Sequence, residues 1–174
     1  SRRQRQMCMR DSIIDWILYI PLVFCVCYLL LYAIVSKFYR APQYPEARTL
    51  RRIVVLFPAY KEDRVIVASI QSFLEQDYPK ELYEIIVISD QMRPETNDAL
   101  AALPIRLLMA NYKESSKAKA LAMAMDSIDT NAFDIVDIMD ADNITTPDFL
   151  STINRVFDSG IKSVQAHRTG KNLN

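Results

Sequence analysis

Two aspartates separated by one residue, Asp140 and Asp142, are the side chains in this sequence best spaced to bind a metal ion. They follow a mostly apolar stretch, 135–139, interrupted only by Asp137 and with the composition of a strand. Two carboxylates spaced in this way at a strand end can face one hard cation, such as Mg²⁺ or Mn²⁺, while Ala141 points away. Aspartate at a strand end is also common in turns and helix caps. The spacing therefore leaves two interpretations, a divalent metal site and an ordinary turn.

Three further side chains could bind a nucleotide at the same edge of a sheet. Asp90 and Tyr60 each follow an apolar run, so a carboxylate could meet the edge of a nucleobase beside an aromatic ring that stacks on its face. Lys117 begins a helical segment, where the helix dipole disfavours a cation, which indicates a phosphate partner. Each residue also has an ordinary interpretation: Asp90 as a cap, Tyr60 as a packing residue and Lys117 as a solvated lysine.

The elements that must position these residues follow from the alternation of short apolar runs with segments of helical period. The sequence predicts helices around 66–74, 117–128 and 147–157, the last with Thr146 as N-cap and Pro147 at its first position. Five strands are predicted, at 53–57, 85–88, 105–109, 135–139 and 162–165. Such alternation predicts an α/β fold, a mostly parallel sheet with flanking helices, in which ligands bind beyond the carboxyl ends of the strands. Around the fourth strand, we expect Asp134 and Asp137 to face solvent.

The amino-terminal segment 16–35 contains 20 consecutive uncharged residues, enough to cross the roughly 30 Å hydrocarbon core of a bilayer. We interpret it as a transmembrane helix; the alternatives are a buried core helix and a signal peptide, whose apolar region is usually only about 7 to 15 residues. Basic residues flank both ends, so charge alone does not decide the orientation. The chain is thus predicted to contain a basic flank (1–12), a transmembrane helix (13–38), a linker (39–50) and a globular domain (51–174).

The composition excludes several classes of protein. Of the 174 residues, 51% are hydrophobic, and 21 basic residues balance 21 acidic ones, which excludes a disordered chain and a generally basic nucleic-acid-binding protein. With only two glycines, the chain contains neither a G-x-G-x-x-G turn nor a Walker-type phosphate loop. The three cysteines, all within the first 27 residues, lack the spacing of a zinc site or a disulfide framework.

Five short motifs follow one another along the globular part of the chain. They are VVLFPAYKED (54–63), QDYPKELYEIIVISDQ (76–91), SKAKAL (116–121), DIMDADN (137–143) and SVQAHR (163–168). In this order they resemble the amino-terminal half of the family-two glycosyltransferases of the GT-A fold. The similarity is greatest to the membrane-associated members that include cellulose synthase, hyaluronan synthase and ceramide glucosyltransferase, and it covers about residues 50–172.

The resemblance implies a GT-A fold with a Rossmann-like, nucleotide-sugar-binding sheet. It also implies inverting, metal-dependent transfer of a sugar from a nucleotide-diphospho-sugar, with a UDP-sugar the expected donor, to a glycan or lipid acceptor, as in polysaccharide biosynthesis. The catalytic domain would face the cytoplasm, where nucleotide sugars are made. The implied substrate-binding residues are Pro58, Tyr60 (stacked on the base), Glu62 (near the nucleoside), Asp90 (base edge), Lys117 (diphosphate) and Asp140, with Asp142 and Asp140 at a Mg²⁺ or Mn²⁺ ion.

The sequence departs from the family pattern at three motif positions. Lys61 stands where the family usually has Asn, Ala122 replaces the Asn of A-L-N, and Ser89 replaces the first Asp of a D-D pair. The base contact would therefore depend on Asp90 alone.

An inverting transfer also needs a general base, which in this family comes from an acidic motif after the V-Q-x-R strand. We expect that base beyond Asn174, because Asp148, Asp158 and His167 are poor substitutes. The sequence thus predicts the donor-binding part of a membrane-anchored glycosyltransferase, incomplete without its base. The alternative is a nucleotide-sugar-binding or membrane-tethered interaction module without turnover.

Overall fold

The computed structural model describes residues 2–40 and 42–167, with side chains described for residues 15–40 and 42–167. The chain divides into two compact units, Ser1–Gln43 and Tyr44–Asn174. The first unit consists of helix α1 (Arg2–Phe38). Within it, Asp15–Phe38 is long and apolar enough to cross a membrane, since its 24 residues extend about 36 Å at the usual helical rise. Aromatic side chains pair along this helix, with ring centroids 4.8 Å apart for Tyr28 and Tyr32.

The second unit is a four-stranded parallel sheet in the order β3-β2-β1-β4 with helices on both faces. This arrangement confirms the predicted α/β fold. The elements in chain order are β1 (Ile53–Tyr60), α2 (Ile66–Phe73), a 3₁₀ turn (Lys80–Leu82), β2 (Tyr83–Asp90), α3 (Pro94–Ala101), β3 (Arg106–Ala110), α4 (Lys117–Ser127), β4 (Ile135–Ile138) and α5 (Phe149–Asp158). Helix α3 was not predicted from the sequence.

The two faces of the central strand β1 form two separate cores. Val55 and Phe57 point to one face, which α2, α3 and α5 cover, and the ring of Phe57 lies 5.4 Å from that of Phe73. Val54 and Leu56 point to the other face, which α4 covers. Because side chains alternate along a strand, a continuous apolar run is what a strand buried on both faces requires.

The fifth predicted strand, 162–165, is wrong, because residues 161–167 contain no regular secondary structure. Residues 162–167 line a second cavity together with β4, but they form no ladder with it. Alternating apolar residues favour an extended backbone, whereas a strand also requires a neighbour with which to exchange hydrogen bonds.

The prediction that Asp137 faces solvent is also wrong. Its side chain is half-buried, lines the second cavity, and has its Oδ2 atom shielded from water without a hydrogen-bond partner. This burial raises the pKa of Asp137 from its ordinary value of 3.8 to about 6, against the opposing effect of a hydrogen bond from the Ile138 backbone. Asp134 is exposed as expected, and its Oδ2 accepts a hydrogen bond from the Arg52 amide at 2.8 Å.

A buried glutamine fastens the loop before α5. The side chain of Gln76 is 3% exposed and donates from Nε2 to the Thr146 carbonyl at 2.8 Å and to the Thr145 hydroxyl at 3.1 Å. Its Oε1 accepts a hydrogen bond from the Leu150 amide at 3.0 Å. One side chain therefore satisfies polar groups on both sides of the start of α5, where backbone amides lack partners within the helix.

Candidate functional site

A cavity of about 430 Å³ lies beyond the carboxyl ends of β1, β2 and β4, beside the start of α4. The parallel register accounts for its position, because Tyr60 is paired with Asp90 and both strands end at the same level. The structure brings all seven residues predicted from the sequence together here, as lining residues: Pro58, Tyr60, Glu62, Asp90, Lys117, Asp140 and Asp142. Their individual roles stay predictions.

Asp90 and Tyr60 offer two different surfaces to a ligand. The Asp90 side chain is 3% exposed, and its Oδ1 atom is buried without a hydrogen-bond partner. A buried acceptor in this state is costly unless a ligand donates to it. Tyr60 is 47% exposed, and its ring lies 5.0 Å from the ammonium of Lys61. A planar group with an N–H on its edge could stack on this ring and donate to Asp90.

Lys117 lies at the first position of α4. The hydroxyl of Ser116 caps this helix by accepting from the Lys119 amide at 3.2 Å, and Ser115 and Ser116 also line the cavity. A helix amino terminus attracts anions, because its first amides lack partners and the dipole is positive there. The Lys117 ammonium forms an ion pair with the Asp140 carboxylate. The lysine that was expected to bind a phosphate is thus paired with the aspartate that was expected near the metal.

The segment after β4 brings two carboxylates to the cavity. Ala141 is 4% exposed and packs in the core, but it also lines the cavity together with Asp140 and Asp142, so its pointing away stays a prediction. The Asn143 amide also donates to the Asp140 carbonyl at 3.1 Å, so the segment forms a turn as well. The two interpretations of this spacing are therefore compatible.

The cavity suits a divalent ion that takes part of its coordination from a substrate. Among the residues that the structure describes, no group of three or more His, Cys, Asp or Glu side chains is arranged to hold a metal. Two carboxylates with further oxygens from phosphate groups and water make a coordination set that Mg²⁺ commonly adopts. Asp140 and Asp142 fit that set.

Two polar residues that bond to each other beside the cavity, Gln91 and Ser115, were missed by sequence reasoning. Gln91 donates from Nε2 to the Ser115 hydroxyl at 3.2 Å, and the Tyr60 hydroxyl lies 3.5 Å from Gln91 Oε1. They link the loops after β1, β2 and β3. The pair Ser115–Ser116 ahead of a helical segment was an available signal for a helix start, whereas nothing in the sequence marks Gln91.

Ser89, the residue at the position of the first family aspartate, does not line the cavity. It is 1% exposed, and its hydroxyl lies 2.6 Å from Oδ1 of Asn97 on α3. Side chains alternate along β2, so Ser89 faces the helices while Asp90 faces the cavity. A serine at this position therefore leaves the Asp90 carboxylate in place.

The three residues judged poor general bases lie outside the cavity. Asp158 is bonded to the Arg48 amide at 2.9 Å and paired with Arg51 at 3.6 Å. Asp148 precedes α5, and a hydrogen bond from the Thr146 hydroxyl lowers its pKa. His167 lines the second cavity beside β4.

Comparison with known proteins gives one family and several related structures. A sequence model described as "Glycosyltransferase like family 2" matches residues 51–174. The "Probable glycosyltransferase YdaM" of Bacillus subtilis (strain 168) is 28% identical over an alignment of 101 residues that covers 55% of this chain and 24% of that protein. The chain thus spans about a quarter of the length of this curated relative.

Two solved structures share the fold. The mannosyltransferase PcManGT from Pyrobaculum calidifontis, in complex with GDP-Man and Mn²⁺, is similar with a TM-score of 0.58 and 25% identity over 73% of this chain and 39% of that one. S. aureus TarS 1-349 in complex with UDP-GlcNAc is similar with a TM-score of 0.53 and 20% identity, over 62% of this chain and 31% of that one.

Proposed function

Because the chain belongs to glycosyltransferase-like family 2, we propose that it forms the donor-binding part of a membrane-anchored, metal-dependent, inverting glycosyltransferase. The reaction would move a sugar from a nucleotide-diphospho-sugar to a glycan or lipid acceptor. The observation that supports it best is the single cavity in which an aromatic ring, a buried unpartnered carboxylate oxygen, a helix amino terminus and two further carboxylates meet. The ring and the buried oxygen suit a base, the helix terminus suits a diphosphate, and the two carboxylates suit a cation.

The nucleobase would bind between Tyr60 and Asp90. Its face would stack on the exposed ring, and its edge would donate an N–H to the buried Oδ1 atom of Asp90. A hydrogen bond to a charged group contributes about 1.5–3 kcal/mol. Uracil presents one N–H on its pairing edge, which matches one unpartnered acceptor, so we propose a UDP-sugar as donor. Glu62 and Pro58 also line the cavity and would bound the nucleoside.

The diphosphate would lie at the amino terminus of α4. The first amides of this helix and the Lys117 ammonium would donate to its oxygens. The Lys117 side chain is 53% exposed, so it can turn toward a phosphate with little loss of packing. Holding the diphosphate here orients the sugar toward the segment that contains Asp140 and Asp142.

We propose Asp142, with Asp140, as the residues that would hold Mg²⁺ or Mn²⁺. The crystallised mannosyltransferase relative contains Mn²⁺. When bound, such an ion acts as a Lewis acid that neutralises the charge of the diphosphate leaving group. The two carboxylates would fix its place, and their negative charge favours a cation at this end of the sheet.

Membrane anchoring by α1, with the catalytic unit facing the cytoplasm, is part of the same proposal. It is supported by the length and apolar composition of Asp15–Phe38 and by the cytoplasmic supply of nucleotide sugars. Alkaline carbonate should leave the protein in the membrane fraction, and protease added to spheroplasts should leave the Tyr44–Asn174 unit intact. Release by carbonate would contradict the anchor, and digestion would contradict the orientation.

Calorimetry with UDP and with GDP tests the donor site. We expect the full chain to bind UDP with Mn²⁺, and we expect both chelation of the metal and Asp142→Asn to weaken binding by about tenfold or more. Asp126→Asn, on the exposed surface of α4, is the matched control. UDP binding that is unchanged by metal removal and by Asp142→Asn would show the metal assignment to be wrong. If neither nucleotide binds, the proposed function is wrong.

The alternative is a nucleotide-sugar-binding module without turnover. It is favoured by one observation: the carboxylates lining the cavity in the described part of the chain are Glu62, Asp90, Asp140 and Asp142, all assigned to the donor or the metal. Release of sugar from a UDP-sugar in the presence of Mn²⁺, by hydrolysis or transfer, would eliminate this alternative.

A further inference from the structure

The loops that follow β1 and β2 are joined by a set of contacts, here termed the loop clasp, between residues 60–63 and 90–96. The Lys61 amide donates to the Asp90 carbonyl at 3.2 Å. The Glu62 amide lies 3.1 Å from the sulfur of Met92. The last and most extensive contacts of the clasp are those of Asp63.

Asp63 accepts two hydrogen bonds and forms one ion pair at the start of α3. Its Oδ1 atom accepts a hydrogen bond from the Arg93 amide at 2.9 Å and another from the Thr96 hydroxyl at 2.7 Å. The Arg93 guanidinium lies 3.6 Å away. These hydrogen bonds, that of Thr96 first, lower the pKa of Asp63, so the group is ionised at neutral pH. A negative charge is also favoured at the amino terminus of a helix.

The clasp spans the two most constrained backbone positions near the site. Lys61 has φ +55° and Gln91 has φ +54°, the described non-glycine residues with left-handed backbone. Each follows directly on the register pair Tyr60 and Asp90. Residues other than glycine keep such a conformation only where surrounding contacts hold it. Tyr60 and Asp90, which are proposed to bind the base, are thus the last residues of their strands. The clasp holds the left-handed residues that follow them.

We propose that Asp63 is a positioning residue for nucleobase recognition, which holds the loops that follow Tyr60 and Asp90 in place although it does not itself line the cavity. This inference rests on the proposed donor site. Asp63 ties the Tyr60 loop to α3, and α3 in turn follows the Asp90 loop. Without this tie, the two loops keep the contacts of Lys61 with Asp90 and of Glu62 with Met92 but lose their link to the start of α3, and the left-handed residues next to Tyr60 and Asp90 are held less firmly in the geometry that lets a base stack and donate at once.

A role of Asp63 in base recognition can be distinguished from a role in overall stability, because only the first leaves the binding of the diphosphate unchanged. The groups proposed to bind the diphosphate and the metal lie on α4 and after β4, and none of them takes part in the contacts of Asp63. Loss of Asp63 should therefore weaken a ligand that contains a base and spare one that lacks it. A general loosening of the fold would weaken both.

The test compares UDP with inorganic pyrophosphate, each titrated calorimetrically with Mn²⁺ into the full chain. We expect Asp63→Ala to weaken UDP binding by about tenfold or more and to change pyrophosphate binding by less than about twofold. Asp63→Asn keeps an acceptor oxygen for both donors and should retain most of the UDP affinity. Asp98→Ala, an exposed aspartate on α3, is the matched control. Thr96→Val removes one donor and should give an intermediate loss, which tests the clasp if Asp63→Ala does not fold.

The possible results separate this inference from the proposed function. If the unaltered chain binds neither UDP nor GDP, the donor site itself is wrong. If it binds UDP, but Asp63→Ala and Thr96→Val leave UDP affinity unchanged or reduce UDP and pyrophosphate affinity equally, the donor site stands and the positioning role is refuted.

Discussion

Removing the ion pair between Lys117 and Asp140 should change the affinities for Mn²⁺ and for UDP in opposite directions. Without nucleotide, the ammonium neutralises a carboxylate proposed to hold the divalent ion. With nucleotide, the same ammonium is proposed to donate to the diphosphate. Replacing Lys117 with Met keeps most of the length of the side chain and removes the charge. We therefore expect Lys117→Met to bind Mn²⁺ more tightly in the absence of nucleotide and UDP more weakly in its presence.

The exposure of the two side chains determines the size of each effect. The pair is 53% and 32% exposed, so solvent screens it and its worth is about 0.2–1 kcal/mol. Its removal should tighten Mn²⁺ binding by at most about fivefold. A hydrogen bond from the ammonium to a phosphate is charge-assisted and contributes about 1.5–3 kcal/mol, so UDP affinity should fall about 10- to 100-fold.

Two titrations measure these effects. The free Mn²⁺ signal in electron paramagnetic resonance gives the metal affinity without nucleotide, and calorimetry at saturating Mn²⁺ gives the UDP affinity. Lys119→Met is the matched control, because Lys119 lies on the same helix but donates to the Glu114 carbonyl at 2.7 Å and does not line the cavity. Weaker Mn²⁺ binding in Lys117→Met, or an equal response of Lys119→Met, would refute the reasoning.

Two further predictions concern buried polar groups outside the donor site. Because the folded-state pKa of Asp137 is raised to about 6, its contribution to the free energy of unfolding is fully present below about pH 4 and is lost as the pH rises through 6, a change of about 3 kcal/mol. Asp137→Asn should therefore be the more stable protein at pH 8 in urea unfolding, with the difference disappearing at pH 4; equal stability at both pH values would contradict the burial argument. Gln76→Ala leaves the Leu150 amide and the Thr146 carbonyl without their side-chain partner and should lower the free energy of unfolding by about 2 kcal/mol or more. Gln71→Ala, at an exposed position of α2, should change it by less than about 0.5 kcal/mol, and an equal loss in both variants would contradict the role of Gln76.

The centres of the strands were predictable from sequence, but their ends were not. The apolar run 53–57 predicted β1, which continues to Tyr60 because its pairing with β2 extends to Asp90. Polar residues at the end of a strand do not interrupt a backbone ladder, so hydropathy underestimated the lengths of β1 and β2. The opposite error occurred at 162–165, where a suitable pattern lacks a pairing neighbour.

The membership of the donor cavity was predictable, because parallel strands place their carboxyl ends at one edge. The loop clasp was not, since it depends on the left-handed backbone of Lys61 and Gln91 and on a helix, α3, that the composition of Pro94–Ala101 does not reveal. The contact between Lys117 and Asp140 joins residues 23 positions apart in sequence, and helix-start chemistry alone indicated only an anion near Lys117.

The strand order β3-β2-β1-β4 also sets a sequence of events during translation. The first strands to leave the ribosome, β1 and β2, can pair and bring Tyr60 beside Asp90 before Asp140 has been synthesised. The other edge of β1 stays unpaired until β4 has been synthesised, since Ile53 pairs with Ile135. Parallel pairing between residues so far apart in sequence is slow. During that interval a long apolar strand edge is available to other nascent chains. The residues that would bind the base can therefore come together first, and the segment that would bind the metal reaches the site when β4 covers the open edge of β1.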